Sequence, residues 1–184
     1  MYQRGAVRQG EVAVRLGVVM GERRGGTDRV LAEVAGRLAA RGLRLAGVVQ
    51  ENPEVPGRRC DMDLVLLDAG GRMRISQCLG PMARGCRLDP AGLEAAVGQV
   101  GEALGGAVLP ELVIVNKFGK AEIAGRGFRP LIARALELGV PVLTGLNRAN
   151  LDGFEAFAQG LAEPLPPDPA AVLAWCHGAV RAEV

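Results

Sequence analysis

The chain has 184 residues, 49% of them apolar, which is typical of a globular protein with a sizeable core. A net charge of +2 gives no sign of a strongly basic nucleic-acid surface or of an acidic tail. No apolar run reaches the length of a membrane span, so we expect neither a nucleic-acid nor a membrane partner.

The N-terminal third of the chain predicts a strand, a helix and a second strand. We predict a short flexible tail over residues 1–11. The apolar run over 12–20 predicts a strand that is buried on both faces. An amphipathic helix follows over 27–42, with Gly42 as its C-terminal stop, and then an apolar strand over 43–50. This order predicts a βαβ unit in a parallel sheet with a right-handed crossover.

The rest of the chain continues the alternation of strands and helices. Residues 62–77 predict a β-hairpin, because two strand-like segments flank a glycine turn. Asp89 is placed to N-cap the next helix, over 91–106, with Pro90 at its first position. Further on we predict a strand over 111–118, a helix over 127–139 closed by Gly139, a strand over 140–146, and helices over 151–161 and 169–180 separated by a Pro-rich turn.

This pattern predicts one α/β domain over residues 12–184, with a mostly parallel sheet and an inserted hairpin. The sequence has no internal repeat and no linker long enough to divide it. In an open parallel sheet, ligands bind beyond the carboxyl ends of the strands. The loops after the first strand, after the 111–118 strand and after the 140–146 strand are therefore candidate sites.

The cysteines and the histidine of the chain indicate which kinds of site to expect. The four cysteines form no C-x-x-C pair and only one histidine is present, so we expect free thiols, no metal site and a cytoplasmic location. The start of the chain lacks the pattern of a signal peptide.

Of the 22 basic residues only Lys117 and Lys120 are lysines, and both lie in the run NKFGK. A lysine ammonium is a compact charge, whereas the arginine guanidinium is a planar fork. We therefore interpret the two lysines as selected for function rather than as a result of codon bias.

The loop after the first strand has the glycine spacing of a phosphate loop, G-x-x-x-x-G-K-[ST]. Gly21 and Gly26 keep that spacing, but Thr27 replaces the lysine and Asp28 replaces the residue that holds magnesium. The anion-binding candidates in this loop are Gly21, Arg23, Arg24, Gly25, Gly26, Thr27 and Asp28. The alternative is a plain strand-to-helix turn at the two glycines, with Thr27 or Asp28 as the N-cap.

The end of the 111–118 strand is the second candidate. A magnesium-NTP site usually places an Asp and often a Glu here, whereas this chain has Asn116 and Lys117. The N-K-x-D motif that reads guanine is incomplete, because Gly119 stands in its fourth position. Lys120 and Arg126 are the other anion-binding candidates. Glu122 is interpreted as a partner of Lys117 or Arg126, or as a solvated charge.

A third polar loop offers further contacts to the same site: Ser76, Gln77, Cys86 and Arg87. Arg87 beside Cys86 is the kind of neighbour that lowers a thiol pKa. The alternative, which we prefer, is that Cys86 is a small buried side chain.

Several segments together resemble a bacterial family of uncharacterised P-loop-like proteins: RLAARGLRLAGVVQ, CDMDLVLLDAGGRMRISQ, GCRLDPAGL, LVIVNKFGKAEIAGRGF and GVPVLTGL. That family is similar to nucleoside-triphosphatases of the RecA-like type, and its members often appear beside molybdenum-related genes. The resemblance implies a three-layer P-loop-NTPase-like domain whose phosphate loop is degenerate, because the active enzymes have G-x-x-x-x-G-K-T and D-E-x-G where this chain has Thr27-Asp28 and Asn116-Lys117.

Three functions remain open from the sequence. The first is non-hydrolytic binding of a small oxyanion (molybdate, tungstate, sulfate or phosphate), with no required cofactor and with molybdate favoured by the resemblance. The second is an atypical nucleotide-binding NTPase or kinase, in which Asp28 would hold magnesium. The third is a ligand-free module for protein interaction, including a homo-oligomer. We predict that the two glycine- and lysine-bearing loops share one edge of the sheet, and that magnesium-dependent turnover is absent.

Overall fold

A computed structural model describes residues 14–21, 25–52, 62–68, 70–77 and 88–181 of the chain. Its strands form one sheet of seven, in the order β4-β3-β2-β5-β6-β1-β7. The strands are β1 (Leu16–Met20), β2 (Leu45–Glu51), β3 (Asp63–Leu66), β4 (Arg72–Arg74), β5 (Leu112–Phe118), β6 (Val142–Leu146) and β7 (Ala162–Leu165). All neighbouring pairs are parallel except β2–β3 and β3–β4, which are antiparallel.

Six α-helices connect and cover these strands within the described residues. They are α1 (Gly26–Ala39), α2 (Pro90–Gly105), α3 (Lys120–Ile123), α4 (Arg129–Glu137), α5 (Leu151–Ala158) and α6 (Pro169–Arg181), with a short 3-10 helix at Arg148–Asn150 before α5. None of the described helices is long and apolar enough to cross a lipid bilayer.

The sheet separates two apolar cores, because successive side chains of a strand point to opposite faces. In β5, Val113 and Val115 pack with α2, α4 and α5, whereas Leu112 and Ile114 pack with α1 and α6. Trp175 of α6 lies in this second core, and a Cβ atom on Gly17 would come within 2.9 Å of its ring. The result is the three-layer α/β architecture predicted from the sequence, with helices on both faces of a mostly parallel sheet.

The predicted helices are present, and their ends lie within three residues of the predicted ones. Gly42 and Gly139 adopt positive φ angles of 82° and 78° within three residues of the ends of α1 and α4, a conformation that glycine takes without strain. Asp89 N-caps α2, since its side chain accepts a hydrogen bond from the backbone N–H of Ala91 at 3.1 Å. The inserted hairpin is β3–β4, which extends the sheet beyond β2.

The predicted unit of β1, α1 and β2 is present in one parallel sheet, with β6 and β5 lying between its two strands. Two predictions about the elements were wrong. The Pro-rich segment predicted as a turn contains β7, which pairs with β1 at the edge of the sheet. The segment after β5 was interpreted as a loop and contains the single turn of helix α3. The tail predicted over 1–11 lies outside the described residues.

Candidate functional site

The site lies where the carboxyl ends of two non-adjacent strands meet the start of a helix. β1 and β5 each pair with β6 in parallel, so both strands end at the same edge of the sheet. Gly25, with φ of 75°, is the N-cap of α1, which begins shortly after β1. Because α1 packs beside β5, its first turn contacts the last residues of that strand.

A three-residue cluster forms at this contact: Asp28 of α1 with Asn116 and Lys117 of β5. The Lys117 ammonium lies 2.9 Å from Asp28 Oδ1 and 3.0 Å from Oδ2. The Asn116 side-chain amide donates to Asp28 Oδ1 at 3.0 Å. Asp28 and Asn116 are buried, whereas 43% of the Lys117 side chain is exposed. The carboxylate is therefore held from two sides, and the ammonium remains in reach of solvent.

An irregularity in β5 makes this cluster possible. In a regular strand, the side chains of Asn116 and Lys117 would point to opposite faces of the sheet. Val115 pairs with Thr144 and Phe118 with Leu146, so β5 uses three residues where β6 uses two. One extra residue in β5 is a β-bulge, which redirects side chains locally. As a result, two consecutive side chains of β5 reach the same carboxylate.

The orientation of the Asn116 amide is set by β2. The backbone N–H of Gln50 donates to Asn116 Oδ1 at 2.9 Å, which leaves the Asn116 NH₂ group to donate to Asp28. Gln50 Oε1 lies 3.5 Å from the same NH₂ group. The sequence analysis did not select Gln50, because its role depends on the pairing of β2 with β5 and no motif marks it.

Thr27, which stands in the lysine position of a phosphate loop, is buried by close packing. A Cβ atom on Gly21 would lie 2.5 Å from Thr27 Oγ1, and one on Gly145 would lie 2.6 Å from Thr27 Cγ2. Gly21 therefore serves the close approach of the strand end to α1. The alternative in which Thr27 or Asp28 caps the helix was wrong, since the N-cap is Gly25 and has no side-chain cap bond.

Glu122 has a structural role that neither sequence interpretation anticipated. It is buried, and its carboxylate accepts backbone N–H groups from Gly119 at 2.8 Å and from Phe128 at 3.0 Å. It pairs with neither Lys117 nor Arg126 in the described part of the chain. Gly127 has φ of 61°, and a Cβ atom there would overlap Glu122 Oε1. The carboxylate thus fixes the shape of the segment between β5 and α4.

Lys120 and Arg126 are exposed candidates outside the Asp28 cluster. Lys120 lines one cavity together with Asn116 and Lys117, and it lines another cavity, of about 170 Å³, together with Arg126. Ser76 pairs with Leu88 in an isolated bridge, and its hydroxyl accepts the Met62 N–H at 3.2 Å. Gln77 follows Ser76 directly and ends the described range 70–77. Arg23, Arg24, Cys86 and Arg87 lie outside the described residues.

The described residues contain no group of three or more His, Cys, Asp or Glu side chains placed to hold a metal ion. The acidic group of the cluster is the Asp28 carboxylate, which pairs with the Lys117 ammonium and accepts a hydrogen bond from Asn116. Chemically, the arrangement offers an ammonium, a helix N-terminus and a buried carboxylate within one small region. Such a region can hold an anion or bind the phosphates of a larger molecule.

Three comparisons place the chain among known proteins. A family model described as "Protein of unknown function (DUF2478)" matches residues 16–175. A relative from Bradyrhizobium diazoefficiens, described as "Molybdenum import ATP-binding protein ModC 2", is 35% identical over 150 residues, which make up 80% of this chain and 16% of that protein. The solution structure of a human cancer-related nucleoside triphosphatase superposes with a TM-score of 0.65 at 18% identity, covering 92% of this chain and 99% of that one. The last match shows that the chain shares the fold of that protein, which confirms the predicted layered α/β fold class.

Proposed function

The chain belongs to the DUF2478 family, and on that premise we propose that its site binds a small oxyanion without hydrolysing a nucleotide. The observation that carries this proposal is the position of Lys117, whose ammonium lies beside the first turn of α1 and within 3.0 Å of both Asp28 oxygens. In this proposal, Lys117 of β5 supplies the ammonium that the glycine loop lacks.

The donors at this position suit a tetrahedral anion. The first N–H groups of a helix have no partner within the helix, and they attract negative charge. An ammonium has three N–H donors, and Asp28 has two carboxylate oxygens, so Lys117 retains a donor for an anion. Asp28 opposes binding by its charge, which favours a small, compact ligand that contacts the N–H groups and Lys117 and stays away from the carboxylate.

Molybdate or tungstate is our first choice of anion, with sulfate and phosphate as alternatives. The support is the relative described as a molybdenum import ATP-binding protein, together with the tetrahedral shape that these anions share. The matched region is 16% of that relative, so its named activity is attributed to this chain only as part of the proposal. The proposal requires no cofactor.

A nucleotide-binding NTPase is the second candidate, favoured by the fold shared with a nucleoside triphosphatase. In that case Asp28 would coordinate magnesium, since it occupies the position of the metal-binding Ser or Thr. Both of its oxygens are engaged by Lys117, and Oδ1 also accepts from Asn116. Magnesium would have to displace the ammonium, which disfavours this candidate.

Asp28→Asn separates the two candidates, because they predict opposite results. If Lys117 binds an oxyanion, removing the carboxylate charge frees the ammonium, and molybdate affinity rises by about tenfold. If Asp28 holds magnesium, the variant loses affinity for magnesium-ATP. Isothermal titration of molybdate, tungstate, sulfate and ATP with magnesium measures both. Asp152→Asn is the matched control, since Asp152 is exposed in the first turn of α5.

Turnover provides the second test. We expect no magnesium-dependent phosphate release above background, because the loop lysine and the metal-binding and catalytic carboxylates are replaced at their usual positions. Steady phosphate release that disappears in Asp28→Asn would overturn the proposal and establish the second candidate. If neither anions nor nucleotides bind, the module for protein interaction is left, and sedimentation of the full chain would then test for a homo-oligomer.

A further inference from the structure

A second cavity, of about 180 Å³, opens on the face of the sheet opposite α1. Its wall consists of buried side chains of the core beneath α2 and α4: Val48, Leu64, Ile75, Leu93, Val115 and Phe128. Val48, Leu64 and Val115 belong to strands and Leu93 to α2, whereas Ile75 follows β4 and Phe128 precedes α4. Their packing leaves an apolar space beside the carboxyl end of β5.

The polar groups in the wall of this cavity already have partners. Asn116 bonds to Gln50 and Asp28, and the two oxygens of Glu122 accept backbone N–H groups. Water inside the cavity would find few free partners, and a site of that kind favours an apolar occupant. A bare, strongly hydrated oxyanion does not suit this space.

The mouth of the cavity carries positive charge. Lys117 and Lys120 both line it, but Lys117 is paired with Asp28. Lys120 is exposed and has no ion pair within the described part of the chain. It also lines the adjoining cavity with Arg126 and Glu94, and Glu94 accepts the Gly127 N–H at 3.3 Å. Lys120 therefore stands at the opening as a cation available to a ligand.

We propose that this cavity binds a small organic carboxylate, with its apolar body against Val48, Leu64 and Val115 and its carboxylate at Lys120. The size follows from the volume, since an apolar cavity of about 150 Å³ is enough to hold a benzene ring. The class of ligand follows from an apolar wall with two lysines in its lining, of which Lys120 has no ion pair within the described part of the chain. This proposal does not depend on the oxyanion site, because the carboxylate contact assigned here is Lys120, although Asn116 and Lys117 also line this cavity.

Benzoate is the probe, and benzyl alcohol is its neutral counterpart of similar size. We expect benzoate titrated into ¹⁵N-labelled full-length protein to shift amide signals of Gly119, Ala121 and Leu64, and to leave those of α6 unchanged. Benzyl alcohol should bind more weakly by about three- to tenfold, because it lacks the charge that Lys120 recognises. Equal affinity for the two probes, or shifts confined to the start of α1, would overturn the proposal.

Two variants test the two parts of the cavity separately. Lys120→Met should reduce benzoate affinity to that of benzyl alcohol and leave molybdate affinity unchanged, with the exposed Arg134→Met as control. Ala121→Leu fills the cavity and should weaken both probes by about tenfold or more, whereas Ala124→Leu, exposed on the same turn, should not. Unchanged benzoate binding in both Lys120→Met and Ala121→Leu would refute the assignment. If Ala121→Leu loses its dispersed spectrum, Lys120→Met alone decides.

Discussion

Asp28 and Lys117 are 89 residues apart in sequence, yet they form the central ion pair of the candidate site. The sequence predicted that their loops share an edge, because both follow buried parallel strands. It treated Lys117 as an anion-binding cation, with Glu122 as one possible partner, and Asp28 as a candidate ligand for an anion or metal. The pairing was not predictable, since it depends on the bulge that turns both Asn116 and Lys117 toward α1.

The pair also changes what a substitution does to stability. Lys117→Met leaves the buried Asp28 carboxylate with only Asn116 as a polar partner, so we expect a loss of about 1–3 kcal/mol in the free energy of unfolding. Adding Asp28→Asn removes the unpaired charge and should restore most of the loss. Urea denaturation of both single variants and the double variant measures the coupling. Additive effects of the two changes would contradict the ion pair.

Cys176 is the free cysteine of the described residues, and it is fully buried in the core between α6 and the sheet. Burial raises the pKa of its thiol from 9.0 to about 12. With the other three cysteines changed to serine, we expect no reaction with a thiol reagent at pH 8 in buffer and one labelled thiol in urea. Rapid labelling of the native chain would contradict the burial of this side chain.

The same shift in pKa has a consequence for stability at high pH. Between about pH 9 and pH 12 the unfolded chain loses a proton that the folded chain retains. The contribution of Cys176 to stability is therefore complete below pH 9 and decreases as the pH rises toward 12. A Cys176→Ala variant should lack this component of the pH dependence while being less stable throughout, because the side chain leaves a cavity.

At the scale of elements, strands and helices with strong local signals were predicted well, and those set by pairing were not. β7 contains Pro164 and was interpreted as part of a turn, since proline cannot donate to a sheet ladder. It lies at the edge, where β1 is its neighbour, so the missing N–H costs little there. The bulge in β5 has no local signal either, because it exists only relative to β6.

The segment between β5 and α4 gives a prediction at this scale. Glu122→Gln replaces one accepting oxygen with an NH₂ group that faces a backbone N–H, either of Gly119 or of Phe128. We expect a loss of about 1–3 kcal/mol, measured by urea denaturation. Glu155→Gln, exposed on α5, is the matched control and should change stability by less than about 0.5 kcal/mol. Equal small effects would mean that Glu122 does not hold this segment.

At the scale of the whole molecule, the class of fold was predictable and the strand order was not. The alternation of apolar strands and amphipathic helices indicates a layered α/β domain, but it does not say that β5 and β6 insert between β1 and β2. Gly47 of β2 pairs with Ile114 of β5 and has a φ of 106°, so a Cβ atom there would overlap the carbonyl of Ile114.

Gly47→Ala should therefore disturb the centre of the sheet. We expect a loss of about 3 kcal/mol or more in the free energy of unfolding, from the strained φ angle and the overlap with β5. Gly36→Ala provides a control of opposite sign, because Gly36 is exposed in α1 with open space around it. That change should stabilise the protein by about 0.5–1 kcal/mol. Thermal and urea unfolding of the two variants compare the positions directly.

The packing of Trp175 has a spectroscopic consequence. It is the only tryptophan in the chain, it is buried against Gly17, and the Arg15 guanidinium lies 5.5 Å from the centre of its ring. Its fluorescence therefore reports on the α1 and α6 side of the sheet alone, while circular dichroism reports on all helices. Coincident denaturation curves from the two signals would show that both layers of helices unfold in one cooperative step. A fluorescence transition that comes first would identify the α6 layer as the part of the molecule that opens before the rest.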